Sequence, residues 1–177
     1  MEPALAPAAT VRAGQPVRPG TAARVAILLF VVAEAGRLMA DADTQERLAW
    51  YAGLMGLFTL LFVLVLWRPL PPGLGQHAYL GFQSILILAM LVPDPGLDSI
   101  TGLFIPLAFQ AAVFFAGPTL WGWVAAMAML TVVPLVLLRG LLEGLALALS
   151  PIAGIIAVPT LMIVHRQAEA ARAGSQA

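Results

Sequence analysis

The chain has 177 residues, with nine cationic and nine anionic side chains and 61% hydrophobic residues. Charged residues make up only 10% of it, against about 25% in an ordinary soluble domain. This composition excludes a water-soluble globule, a nucleic-acid-binding protein and a disordered chain. The lack of cysteine excludes disulfides, thiolate metal sites and cysteine nucleophiles. An integral membrane protein is predicted.

Six apolar stretches reach or approach the roughly 17–25 residues that a helix needs to cross a bilayer core of about 30 Å. They are 24–40, 48–67, 78–92, 100–116, 119–138 and 141–164. None shows the period-two alternation of a barrel strand, and backbone groups in lipid must pair internally, so helices are predicted. The predicted fold class is all-α: a polytopic membrane protein with six transmembrane helices and short loops.

Aromatic residues support this division of the chain. All four tryptophans and both tyrosines lie near predicted span ends, where rings with one polar edge meet the membrane–water interface. They are Trp50, Tyr51, Trp67, Tyr79, Trp121 and Trp123.

Arginine placement predicts the orientation. With six spans both termini face one side, which holds six arginines against three on the other. The six are Arg12, Arg18, Arg24, Arg68, Arg166 and Arg172, and the three are Arg37, Arg47 and Arg139. The positive-inside rule then places both termini in the cytoplasm.

The first 23 residues are rich in alanine and proline and are expected to form a disordered cytoplasmic tail. A cleavable signal peptide is the competing interpretation, because arginines precede the apolar run 25–32 and a small-x-small pattern follows at 33–35. Five further spans follow directly, so a retained first helix is favoured; cleavage would leave five spans.

Polar side chains inside spans are the candidate functional residues, because they are costly there. Glu34 and Arg37 lie three residues apart and can pair, either to ease insertion or as part of a sensing or conduction path. Gln83 and Gln110 suit interhelical hydrogen bonds of about 1 kcal/mol each, with a ligand contact as the alternative. Pro159 is either a packing kink or a hinge that transmits motion.

Recognised catalytic and cofactor patterns are not found in the sequence. The serines have no GxSxG-like context, and the aspartates outside the spans do not form an intramembrane pair. His77 and His165 leave a haem site geometrically conceivable, but no cofactor and no metal site is expected.

The last span is expected to continue into the cytoplasm as a helix over 165–177. Opposite charges three residues apart, Arg166 with Glu169 and Glu169 with Arg172, support a solvated helix there. A frayed polar tail is the alternative.

The pattern Arg-x-x-Glu-Ala-x-Arg-x-x-Ser-Gln over 166–176, together with the run 108–123, resembles the six-helix membrane input region of bacterial sensor histidine kinases. The resemblance implies location in the bacterial inner membrane, a homodimer, and a response regulator as downstream partner. His165 is followed by Arg166 rather than an acidic residue, and no ATP-binding domain fits, so the kinase core is missing from this chain.

The sequence therefore predicts a signal-input region, truncated or stand-alone, that relays a membrane-associated stimulus through its sixth helix. The expected partners are membrane lipids, a second copy, and a response regulator or another membrane protein, with no nucleic acid. The rival hypothesis is a small integral membrane subunit of a transporter or larger complex.

Overall fold

The computed structural model describes residues 19–40, 45–68, 70–93 and 98–175. All regular secondary structure within these residues is helical, which confirms the predicted all-α class. The helices are α1 (Thr21–Ala40), a 3-10 turn (Gln45–Arg47), α2 (Leu48–Trp67), α3 (Leu74–Leu91), α4 (Asp98–Gly102), α5 (Phe104–Phe114), α6 (Gly117–Arg139) and α7 (Leu141–Gly174).

Four of these helices, α2, α3, α6 and α7, are long and apolar enough to cross a membrane. Helix α1 has 20 residues but contains three charged side chains, and the apolar helix from Ser99 to Phe114 is shorter than a span. The protein is thus an all-helical membrane protein, while the number of six spans stays a prediction. Most of the predicted disordered tail, 1–23, lies outside the described residues, and α1 already begins at Thr21.

The structure divides the predicted fourth span, 100–116, into α4 and α5, with Leu103 between them. Pro106 is the physical reason. Proline has no N–H to donate to the carbonyl four residues earlier, which belongs to Gly102, and its ring crowds that carbonyl. Ending α4 at Gly102 places Pro106 in the first turn of α5, where the missing N–H has no intrahelical acceptor in any case. The Leu103 N–H instead donates to the Ile100 carbonyl at 3.1 Å.

One further boundary differs from the sequence-based one. Helix α3 begins at Leu74 rather than at 78, directly after Gly73, whose φ of 120° suits only glycine. Helix α7 covers the predicted span 141–164 and continues through the exit segment in one helix of 34 residues, with Pro159 buried inside it.

Helix α7 packs against α5 and α6 along one face made of Gly144, Ala148, Pro151, Ile155 and Pro159. The spacing of three and four residues keeps these side chains in one row. At Gly144 the two backbones come so close that a Cβ atom would lie 2.6 Å from the carbonyl oxygen of Leu135. The glycine therefore permits the tight α6–α7 hairpin.

Gly144→Ala should destabilise the folded protein by about 1–3 kcal/mol, because the added methyl must push α7 away from α6. The measurement is the melting temperature in detergent micelles. Gly122→Ala is the matched control, since a Cβ on this α6 glycine meets nothing within 4 Å. Equal melting temperatures for the two variants would contradict the close approach.

Candidate functional site

A buried hydrogen-bond network joins α2, α3 and α5, and we call it the core network. The Tyr79 hydroxyl donates to Gln110 Oε1 at 2.6 Å, and Gln83 Nε2 donates to the Tyr79 oxygen at 3.0 Å. Each amide also donates to a carbonyl of α2: Gln83 Nε2 to Phe58 at 3.2 Å, and Gln110 Nε2 to Phe62 at 3.2 Å. Three helices are thus tied together by three interhelical hydrogen bonds, and the bond between Gln83 and Tyr79 connects them within α3.

Helical spacing explains why these residues meet. Tyr79 and Gln83 are four residues apart on α3 and share a face, as do Phe58 and Phe62 on α2, whose rings stack with centroids 6.1 Å apart. Each carbonyl of α2 therefore faces one amide. Because a carbonyl accepts only from a donor, both amide groups must point their nitrogens at α2, which leaves Gln110 Oε1 to accept from tyrosine.

The core network is shielded from the surroundings. Gln83 is 0% exposed and Gln110 is 2% exposed. An unpaired polar group in hydrocarbon costs several kcal/mol, so separating these helices would carry a large penalty. One acceptor is still unused, since Gln83 Oε1 is buried and has no hydrogen-bond partner within the part of the chain that the structure describes.

The sequence pointed to Gln83 and Gln110, and the structure places both in interhelical hydrogen bonds. It did not point to Tyr79, which was interpreted as an interfacial anchor although its hydroxyl lies at the centre of the network. The four-residue spacing from Tyr79 to Gln83 was the signal that could have revealed it.

Arg166 forms a second polar contact, between α7 and the C-terminal end of α5. Its Nη2 donates to the Ala112 carbonyl at 2.6 Å. Ala112 lies in the last turn of α5, where carbonyls have no intrahelical N–H partner and the helix dipole favours a cation. We call this contact the α5–α7 clasp. The Nε atom of Arg166 is buried and finds no hydrogen-bond partner in the described ranges.

The charges of the exit segment pair differently from the sequence-based expectation. Glu169 Oε1 lies 3.1 Å from Nε2 of His165, four residues earlier. Neither Arg166 nor Arg172 forms an ion pair with Glu169 among the described residues, because Arg166 turns back to α5. The segment is helical as predicted, but Glu169 pairs with His165 instead of with the two arginines.

An aromatic cluster lies where α3 and α6 begin. Trp123 Nε1 donates to His77 Nδ1 at 3.0 Å, and the imidazole packs on Phe115 with ring centroids 4.6 Å apart. Phe115 directly follows α5, so this cluster links the end of α5 to α3 and α6. Sequence reasoning placed these residues near the interface but could not join positions 46 residues apart.

Glu34 and Arg37 form a separate pair on α1. Arg37 Nη1 lies 3.4 Å from both carboxylate oxygens of Glu34, as the spacing suggested. Glu34 is buried against α4, and a Cβ at Gly102 would lie 3.4 Å from its carboxyl carbon. The candidate residues thus divide into this pair, the core network, and the α7 set of Pro159, Arg166, Glu169 and Arg172.

Within the described residues no three His, Cys, Asp or Glu side chains are grouped as a metal site would require. No protein-family model, curated protein or solved structure matches the chain. The core network, the α5–α7 clasp and the Trp123–His77 bond link helices to one another, and the chemistry they offer is interhelical hydrogen bonding.

Gln110→Leu should lower stability by about 1–2 kcal/mol, because the Tyr79 hydroxyl and the Phe62 carbonyl both lose a buried partner. Equilibrium unfolding in mixed micelles measures the change. Gln167→Leu serves as control, since Gln167 is exposed on the last part of α7. Loss of the same size in both variants would show that the core network contributes nothing specific.

Proposed function

We propose that the chain is a membrane-embedded signal-input region, of the kind that serves two-component sensor histidine kinases, and that α7 is its output helix. A membrane-associated stimulus changes the packing of the bundle, and α7 carries the change to a kinase core and so to a response regulator. The chain itself supplies no catalytic residue.

The observation that carries this proposal is the length and continuity of α7. Its 34 residues extend about 50 Å at 1.5 Å per residue, against a bilayer core of about 30 Å. The first part packs on α5 and α6, while most side chains over 167–174 are exposed. A continuous helix that packs in the bundle over its first part and is exposed over 167–174 can transmit rotation or translation.

The α5–α7 clasp supports the same proposal. Arg166 stands at the point where α7 leaves the bundle, and it bonds to the end of a helix that also belongs to the core network. The resemblance of 166–176 to the exit helix of sensor kinases covers the same segment.

For orientation and location we propose the bacterial inner membrane with both termini in the cytoplasm. The arginine distribution supports this, with six on the side of the termini and three on the other. Membrane lipids and a second copy of the chain are the proposed immediate partners.

A small integral subunit of a transporter or larger complex is the second candidate. It is favoured by large exposed apolar side chains near the α6–α7 turn, such as Leu137 at 78% and Leu142 at 86% exposure. Lipid tails or a partner helix would cover such a surface equally well.

Fusion of a histidine kinase core after Ala177, with zero to six alanines inserted, tests the proposal. If α7 transmits a rotation, kinase output should vary with the inserted length at about 3.6 residues per period. A flexible glycine–serine insert of equal length is the control and should abolish the variation. Kinase output that does not depend on the number of inserted alanines would favour the subunit hypothesis. A fused kinase core located outside the cytoplasm would contradict the proposed orientation.

Pro159→Ala in the same fusion tests the hinge hypothesis. The variant should insert normally, because α7 already continues through this position, yet its kinase output should change since a regular backbone bond stiffens the helix. Pro151→Ala is the comparison, because Pro151 is the preceding proline on the same buried face of α7. Unchanged output for Pro159→Ala would make that proline a packing feature.

A further inference from the structure

We propose that the C-terminal end of α5, residues 110–112, is the relay that connects the core network to the output helix. Gln110 is hydrogen-bonded to α2 and α3 and moves when they move, and Ala112 transmits this movement to Arg166 on α7. This inference rests on the proposed function of α7 and assigns to it a specific route.

Helix α5 is suited to move as one unit. It has 11 residues, about 16 Å. Leu103, between α4 and α5, keeps right-handed helical dihedral angles, φ −66° and ψ −15°, whereas Phe115 follows α5 with extended dihedral angles, φ −122° and ψ 160°. Because Gln110 and Ala112 share these rigid turns, displacing one displaces the other.

Helix α5 is also placed at the centre of the bundle. Eight of its residues are buried, and it contacts α1, α3, α6 and α7. A change in how α2 and α3 pack therefore reaches α5 directly, through its contact with α3 and through the bond of Gln110 to the Phe62 carbonyl of α2. The two bonds of Gln110, to Tyr79 and to the Phe62 carbonyl, are the polar part of that coupling.

The clasp is the single described hydrogen bond by which Arg166 attaches the exit of α7 to the bundle. It joins residues 54 positions apart through a charged donor and a carbonyl at a helix end. Beyond it, α7 is largely exposed. Whatever moves Ala112 therefore moves the polar contact that holds α7 at its exit from the bundle.

Both ends of the route carry an unused hydrogen-bonding atom. Gln83 Oε1 and Arg166 Nε are buried and have no partner among the described residues. Each has lost its solvation without gaining a bond there, which raises the energy of the present arrangement. The relay that we propose requires a second arrangement of the helices, and pairing of these two atoms would stabilise it.

A spin label on the exit segment tests the relay in the full chain. The sequence has no cysteine, so Ala170→Cys gives one labelling site on an exposed position of α7. The protein is reconstituted in phosphatidylglycerol–phosphatidylcholine vesicles, and the mobile fraction of the label is read by electron paramagnetic resonance. The variants are Gln110→Leu, Arg166→Gln, and the two combined.

We expect Gln110→Leu and Arg166→Gln each to raise the mobile fraction at least twofold, and the double variant to add nothing to Arg166→Gln. Arg172→Gln is the matched control: it makes the same substitution on the same helix at an exposed residue, and should leave the label unchanged. Tyr79→Phe, which removes only the network hydroxyl, should act in the direction of Gln110→Leu and replaces it if that variant does not fold.

Three results would overturn the relay: an unchanged label in Arg166→Gln, an unchanged label in both Gln110→Leu and Tyr79→Phe, or additive effects in the double variant. The label experiment contains no kinase core. If the kinase output of the fusions does not vary with the inserted length but the label responds as expected, the signalling role is contradicted and the relay is kept. If the output varies with the inserted length but the label does not respond, the signalling role is kept and the route through α5 is contradicted.

Discussion

Hydrocarbon provides no hydrogen-bond partner, and this constraint governs the structure at each level. It makes the backbone helical wherever the chain is apolar for the thickness of a bilayer. It also requires the few polar side chains inside the bundle to find partners on other helices. Gln83, Tyr79 and Gln110 meet this requirement together, and in doing so they set how α2, α3 and α5 lie against one another.

The same constraint makes glycine and proline important for how the helices pack. Where side chains cannot gain from excluding water, close backbone approach is a main source of packing energy. Gly144 allows α7 to reach the backbone of α6, and Pro106 divides a longer helix so that α5 can be placed separately. The result is a short central helix, α5, that is packed on several sides, and a long peripheral helix, α7, that extends beyond the bundle.

Arg166 lies where the long helix α7 leaves the packed bundle. A guanidinium that is partly buried must be held by an acceptor, and the carbonyl at the end of α5 provides one. The contact therefore serves both the solvation of a charge and the attachment of α7. Since the core network and the clasp lie two residues apart on α5, packing inside the bundle and the position of the exit helix are physically connected.

The membrane class, the helical fold and most helix positions follow from the amino-acid sequence alone. Helix α2 spans Leu48–Trp67, the range expected from its apolar run, and α7 continues past the predicted span because nothing in 160–173 breaks it. These are local properties, set by the length of apolar runs and by nearby glycine and proline. Gln83 and Gln110 could likewise be chosen as candidates because each is a polar residue in an apolar stretch.

The hydrogen-bond partners of the polar side chains, by contrast, depend on how the helices pack in three dimensions. The bonds from Tyr79 to Gln110, Trp123 to His77 and Arg166 to Ala112 span 31, 46 and 54 residues, and each depends on which helices are neighbours. Spans that are apolar on nearly every face carry little directional pattern, so hydropathy does not encode that choice. The arrangement is set by complementary shapes and by the pairing of a few polar atoms, which exist only once the helices have packed.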